Sequence, residues 1–112
     1  MPLLQVNTNT RVADREAFLT RASQTVARLL GKPESYVMVI LNSEADMLFA
    51  GSNEACAHLK LKSLGLDESA TASYSQQLCE WLEQELGVDS SRVYIEFAGP
   101  ARHMWGWDRR TF

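Results

Sequence analysis

The alternation of apolar and polar positions predicts two strand–helix–strand units. In the first half, apolar residues within 3–7 predict a short strand, and Phe18, Ala22, Val26 and Leu29 share one helical face. Asp14 suits the N-cap of that helix, and Gly31 suits the left-handed position at its end. Residues 37–41 form a nearly continuous apolar run, which predicts a strand covered on both faces.

The second half repeats this plan. Residues 59–64 predict a strand, residues 67–86 a helix ended by Gly87, and residues 92–97 the last long strand. Between the halves, residues 47–51 predict a short strand or turn, and the tail at 104–107 is expected to pair with a neighbouring segment.

A weak duplication relates the two halves. Residues 31–41 align with residues 87–97, so that Gly31 meets Gly87 and the apolar positions of both strands coincide. We interpret the chain as one domain spanning residues 1–112, with pseudo-repeats at about 2–56 and 57–112.

Two such units predict an α+β fold with a four-stranded mixed sheet and both helices on one face. Val37, Val39 and Ile40 suggest apolar residues on both faces of the sheet. An uncovered apolar sheet face must bury itself against another copy of the chain. We therefore expect an obligate oligomer.

Composition excludes several functional classes. The chain is 46% hydrophobic with a net charge of −3, and its Lys and Arg residues are scattered, which argues against nucleic-acid binding. It has no apolar run long enough for a membrane span and no signal-peptide pattern, so the expected location is the cytoplasm, with non-classical export left open. Cys56 and Cys79 do not form a disulfide scaffold or a metal site, and we expect no cofactor.

Seven segments in consistent order resemble the macrophage migration inhibitory factor and dopachrome tautomerase family. They are PLLQVNTN, GKPESYV, GSNEACA, KSLG, SYSQQLC, RVYIEF, and the terminal GW and TF. The resemblance covers nearly the whole chain. It implies a homotrimer with three active sites between neighbouring subunits, and keto–enol tautomerisation of phenylpyruvate-like aromatic 2-oxo acids or dopachrome-type compounds.

The resemblance also assigns the site residues. Pro2, once Met1 is removed, would act as general base and acid through its secondary amine; a retained Met1 would convert that amine into an amide. Lys32 and the backbone N–H of Leu64 would bind the substrate carboxylate. The adjacent subunit would contribute Tyr94. Further lining positions are Glu96, Phe49, Trp105 and Trp107.

Three positions depart from the family pattern. Glu96 replaces a common asparagine, which should alter preference at the distal end of the substrate ring, because an ionised carboxylate only accepts hydrogen bonds. Trp105 replaces a smaller aliphatic residue and should narrow the pocket mouth. Leu59 replaces the second cysteine of a CxxC motif, so thiol–disulfide activity is not carried over.

Two other functional hypotheses remain open from the sequence. One is a cytokine-like interaction protein with a vestigial pocket, for which Arg11 and Glu44 resemble two receptor-contact positions. The other is a trimer whose natural substrate differs and whose phenylpyruvate turnover is a side activity. The sequence does not name the physiological substrate or a receptor.

Overall fold

A computed structural model describes all 112 residues and contains a four-stranded sheet with two helices packed on one face. The elements are β1 (Pro2–Thr8), α1 (Arg15–Leu30), β2 (Met38–Asn42), β3 (Ala57–Ser63), α2 (Thr71–Leu86), β4 (Val93–Ala98), β5 (Gly106–Trp107) and β6 (Arg110–Thr111). The strands of the larger sheet lie in the order β2-β1-β3-β4; β1 and β2 are parallel, β3 and β4 are parallel, and β1 meets β3 antiparallel. The predicted α+β architecture is confirmed.

The ends of α1 follow from local sequence chemistry. An Asp14 carboxylate oxygen accepts a hydrogen bond from the Ala17 N–H at 3.0 Å, satisfying a free donor in the first turn. At the other end Gly31 has φ +62°, and the Lys32 N–H donates to the Ala27 carbonyl at 3.0 Å. This is a Schellman arrangement, which requires a left-handed residue and favours glycine.

The core lies between the helices and one face of the sheet. Alternate residues of β1 and β3 are buried there, as expected from the two-residue period of a strand. The helices contribute Phe18, Ala22, Val26, Leu78 and Leu82. Trp81 is only partly buried and packs its ring against Phe18, with 5.2 Å between centroids.

The opposite face of the sheet is more polar than the sequence predicted. Its middle carries Gln5, Asn7, His58, Lys60 and Glu96, because these residues alternate with the buried ones along β1, β3 and β4. The prediction of an apolar face is therefore correct only at its edges. The exposed apolar residues there include Met38 and Ile40 on β2 and Tyr94 on β4.

Several element boundaries differ from the predictions. Residues Glu68–Ala70 form a 3-10 turn capped by Asp67, so α2 begins at Thr71. Strand β3 already begins at Ala57 and ends at Ser63, where it pairs with Pro2. The segment predicted as a short strand or turn contains a turn, which an isolated bridge between Phe49 and Ser52 closes.

The C-terminal tail pairs with itself. Strands β5 and β6 form a two-residue hairpin, with positive φ at both Asp108 and Arg109. Such a turn matches the right-handed twist of the two strands. The pairing partner of the predicted tail strand is thus the end of the same chain. No helix of the protein is long and apolar enough to cross a lipid bilayer.

Candidate active site

Pro2 lies at the first position of β1, at the floor of a pocket of about 490 Å³. Its ring is almost fully buried, and it pairs across the sheet with Ser63. The pocket is mainly apolar, and its walls include Tyr36, Met38, Trp105 and Trp107. An apolar, partly enclosed pocket with few polar groups is the usual form of a small-molecule site.

The tail positions the two tryptophans. Trp107 stacks on Phe112, with 5.9 Å between centroids and 13° between ring planes, and the Arg110 guanidinium lies 5.0 Å from the Trp107 centroid. Trp105 separates this pocket from a second one of about 460 Å³, which also contacts Lys62. The predicted aromatic wall at Trp105 and Trp107 therefore lies beside Pro2.

Lys32 acts electrostatically on the same end of the chain. The pKa of the N-terminal amine is lowered, chiefly by burial and further by the charge of Lys32. Both effects disfavour the ammonium form. In the full chain that amine belongs to Met1, and the Pro2 nitrogen is part of a peptide bond. Loss of Met1 would place a secondary amine at Pro2, one residue deeper in the same environment.

Leu64 lies at the Pro2 end of the sheet because its neighbour Ser63 pairs with Pro2. The chain turns there: the Leu66 N–H donates to the Ser63 carbonyl at 3.2 Å, and Gly65 has φ +67°. A left-handed conformation at that position favours glycine. The Leu64 N–H, the predicted carboxylate contact, thus lies at the end of the sheet where Pro2 lies.

Tyr94, Glu96 and Phe49 do not join Pro2 within one chain. Tyr94 pairs with His58, which pairs with Asn7, five residues along β1 from Pro2. At about 3.3 Å per residue and about 4.8 Å per strand, the Pro2 and Tyr94 backbones are roughly 19 Å apart. A single subunit therefore cannot use Pro2 and Tyr94 on one small substrate.

Tyr94 is 67% exposed but has a defined support. The guanidinium of Arg92 donates to the carbonyl oxygens of Phe49, Ser52 and Ala55 at 3.0–3.2 Å, holding that loop against β4. Phe49 thereby reaches the Tyr94 ring rather than the Pro2 pocket.

Glu96 contacts His58, which was not predicted from the sequence as a site residue. One Glu96 carboxylate oxygen lies 2.5 Å from Nε2 of His58. This hydrogen bond lowers the pKa of Glu96, and the charges of Lys60 and Lys62 act in the same direction. Glu96 is thus held in its ionised form.

Tyr36 and Met38 also line the pocket, and neither was predicted from the sequence as a site residue. Both lie next to Pro2 because Met38 pairs in parallel with Leu3, which brings the loop before β2 to the start of β1. The sequence could have indicated Tyr36 as a pocket residue, because it lies in the GKPESYV segment, immediately before a strand expected to run parallel to β1.

Comparison with known proteins defines the class to which this fold and pocket belong. The family model for macrophage migration inhibitory factor (MIF) matches residues 1–112. A Brugia malayi homologue is 37% identical across 100% of this chain and 99% of its own length, and the mouse protein is 35% identical with the same coverage. The chain belongs to the macrophage migration inhibitory factor family.

Solved structures agree with that assignment. The homologue from Prochlorococcus marinus matches with a TM-score of 0.92 and 38% identity, covering 98% of both chains. The protein from Trichinella spiralis matches with a TM-score of 0.92 and 33% identity, covering 98% of this chain and 99% of its own.

Proposed function

We propose that the protein is a keto–enol tautomerase for phenylpyruvate-like aromatic 2-oxo acids, with dopachrome-type compounds as further candidates. The observation that carries the proposal is the N-terminal environment: a pocket at Pro2 with aromatic walls, in which burial and Lys32 lower the pKa of the terminal amine. A lowered pKa leaves more of an amine neutral at a given pH, and the neutral form is the one that acts as a general base. Membership of the family supports the same assignment.

The proposed reaction is a proton shuttle on a bound 2-oxo acid. The Pro2 amine, freed by removal of Met1, takes the proton from the carbon next to the ketone. The Pro2 ammonium then returns that proton to the enolate oxygen, which gives the enol and regenerates the neutral amine. The same groups perform the reverse step. Lys32 and the Leu64 N–H hold the carboxylate, and Trp105 and Trp107 contact the aromatic ring.

A homotrimer with sites between subunits completes this proposal. Tyr94 is too far from Pro2 to serve the same substrate within one chain, and Tyr94 and Glu96 are both exposed on the open face of the sheet. A neighbouring copy can supply them. Exposed Met38 and Ile40 at the edge of that face supply apolar area for the contact.

The test is phenylpyruvate enolisation by the wild-type protein and by Pro2→Gly. Intact mass establishes whether Met1 is absent from each sample. We expect wild-type protein without Met1 to be active and Pro2→Gly to lose at least about 100-fold, the lower end of the usual range for acid–base groups. Wild-type activity in Pro2→Gly would exclude the amine mechanism.

A further inference from the structure

A row of side-chain hydrogen bonds crosses all four strands on the open face of the sheet. It begins on β2, where Nδ2 of Asn42 donates to Oδ1 of Asn7 at 2.9 Å. Nδ2 of Asn7 lies 3.2 Å from Nδ1 of His58 on β3, and Nε2 of His58 contacts Glu96 on β4. Gln5 adds a second donor to Oδ1 of Asn7, at 3.3 Å.

In this row each side chain donates to the next one, from Asn42 on β2 toward Glu96 on β4. Because Oδ1 of Asn7 accepts from two amide groups, the Asn7 amide nitrogen must face His58, where it also donates to the His58 carbonyl at 3.3 Å. Nδ1 of His58 is then an acceptor, and the ring proton lies on Nε2, facing Glu96. A neutral imidazole can donate through only one of its nitrogens. Asn7 thus determines which nitrogen of His58 donates.

The charges around Glu96 favour the same state. Lys60 is its direct partner across the β3–β4 pair, and Lys62 lies two residues further along the same face. The other titratable group on this side of β4 is Tyr94. Glu96 therefore remains a carboxylate with one oxygen engaged by His58 and with its side chain 65% exposed.

We infer that Asn7 and His58 are positioning residues that hold Glu96 as an ionised, acceptor-only group, which selects substrates with a hydrogen-bond donor on the distal part of the aromatic ring. This inference rests on the proposed function, in which Glu96 reaches the site of the adjacent subunit. A ring hydroxyl can donate to the free carboxylate oxygen. A fluorine atom of similar size cannot donate, and it meets the negative charge.

Two variants of His58 distinguish the effect of its N–H donor from the effect of its side-chain size. His58→Gln retains an N–H donor near the place of Nε2, whereas His58→Met has comparable length and no donor. The measurement is the ratio of kcat/KM for 4-hydroxyphenylpyruvate to that for 4-fluorophenylpyruvate. We expect His58→Met to lower this ratio about tenfold, mainly through KM, as for loss of one hydrogen bond to a charged group. His58→Gln should restore most of it.

The matched change at the carboxylate is Glu96→Gln, which keeps an acceptor and adds a donor. We expect the fluorinated substrate to be accepted better and the ratio to fall. A ratio that is the same in wild type, His58→Met and Glu96→Gln would overturn the inference. Equal losses in His58→Gln and His58→Met would also overturn it, since they would indicate a structural role only.

Binding distinguishes failure of the inference from failure of the proposed function. Titration calorimetry on Pro2→Gly and on Pro2→Gly/His58→Met, which lack the proposed base, reports the preference for the two ring-substituted compounds with little turnover. If Pro2→Gly binds the hydroxylated compound more tightly, the added His58→Met change removes that preference, and the wild-type protein enolises neither compound, then the tautomerase proposal fails and the positioning role stands. If the wild-type protein enolises both compounds and the binding preference is the same with and without His58→Met, then the tautomerase proposal stands and the positioning role fails.

Discussion

The Phe49 ring meets the Tyr94 ring edge to face, with 4.9 Å between centroids and 63° between planes. The Arg92 guanidinium lies 5.1 Å from the same Phe49 centroid. The Phe49 ring therefore supports the Tyr94 ring, although most of the Tyr94 surface is exposed. The support matters to the proposed site, because Tyr94 must keep its orientation while it projects toward another subunit.

Replacement of Phe49 by Leu should lower the free energy of unfolding by about 1 kcal/mol, the usual value of an aromatic pair. Urea unfolding measures it, and a double-mutant cycle with Tyr94→Leu isolates the pair. An interaction energy near zero would show that the two rings merely lie close.

We also expect a higher KM for phenylpyruvate in Phe49→Leu, because the Tyr94 side chain gains conformational freedom.

Replacement of Lys32 by Met should raise the pKa of the Pro2 amine, the proposed general base. Lys32 lowers the pKa of the N-terminal amine, so its removal stabilises the ammonium form. Activity rises with pH as the amine loses its proton, and this rise should then occur at higher pH. Burial, the larger cause, remains in the variant, so the amine should still titrate below an ordinary terminal amine.

Lys60→Met is the control for this shift, because Lys60 lies in the middle of β3, opposite Gln5, and is not among the groups that lower the pKa of the N-terminal amine. Its profile should match the wild-type one. An unshifted profile in Lys32→Met would mean that the amine is tuned by burial alone.

Replacement of Ile40 by Arg should dissociate the proposed trimer. Ile40 is 39% exposed on the open face, beside Met38, and a buried arginine there would lack a counter-charge. Sedimentation at micromolar concentration should show monomers and loss of activity. Gln24→Arg, on the exposed side of α1, adds the same charge away from the sheet and should remain assembled. A trimeric Ile40→Arg protein would place the interface elsewhere.

Glu96 should titrate below the ordinary range of a glutamate, because His58 donates to its carboxylate. A group whose pKa is lower in the folded state contributes stability above its unfolded pKa, and that contribution is lost as the pH falls through the folded value. Carbon-detected NMR of the Glu96 carboxyl group measures the shift. His58→Met should raise this pKa and His58→Gln should raise it less; an unchanged pKa in His58→Met would contradict the hydrogen bond.

The fold was predictable because its signals are local. The cap at Asp14, the left-handed Gly31 and the spacing of Phe18, Ala22 and Val26 act within one or two helical turns. The predicted start of α2 was four residues early, because Asp67 caps a separate 3-10 turn rather than the helix itself. An N-cap residue looks the same in sequence for both structures.

The site was only partly predictable because its members come from different elements. Pro2, Trp105 and Trp107 share a pocket as expected, whereas Phe49 supports Tyr94 at the other end of the sheet. Tyr36 was overlooked, although the parallel pairing of β1 and β2 brings it to Pro2.

The amino-acid sequence by itself determined the helices, the strands, their caps and the mixed sheet, since these depend on periodicity and on neighbours within a few residues. Only the tertiary structure decided that the C-terminal hairpin closes on its own chain, that the middle of the open sheet face is polar, and that Asn7 and His58 orient Glu96. The physical reason is strand register: which side chains meet across β1, β3 and β4 depends on pairing between residues far apart in the chain.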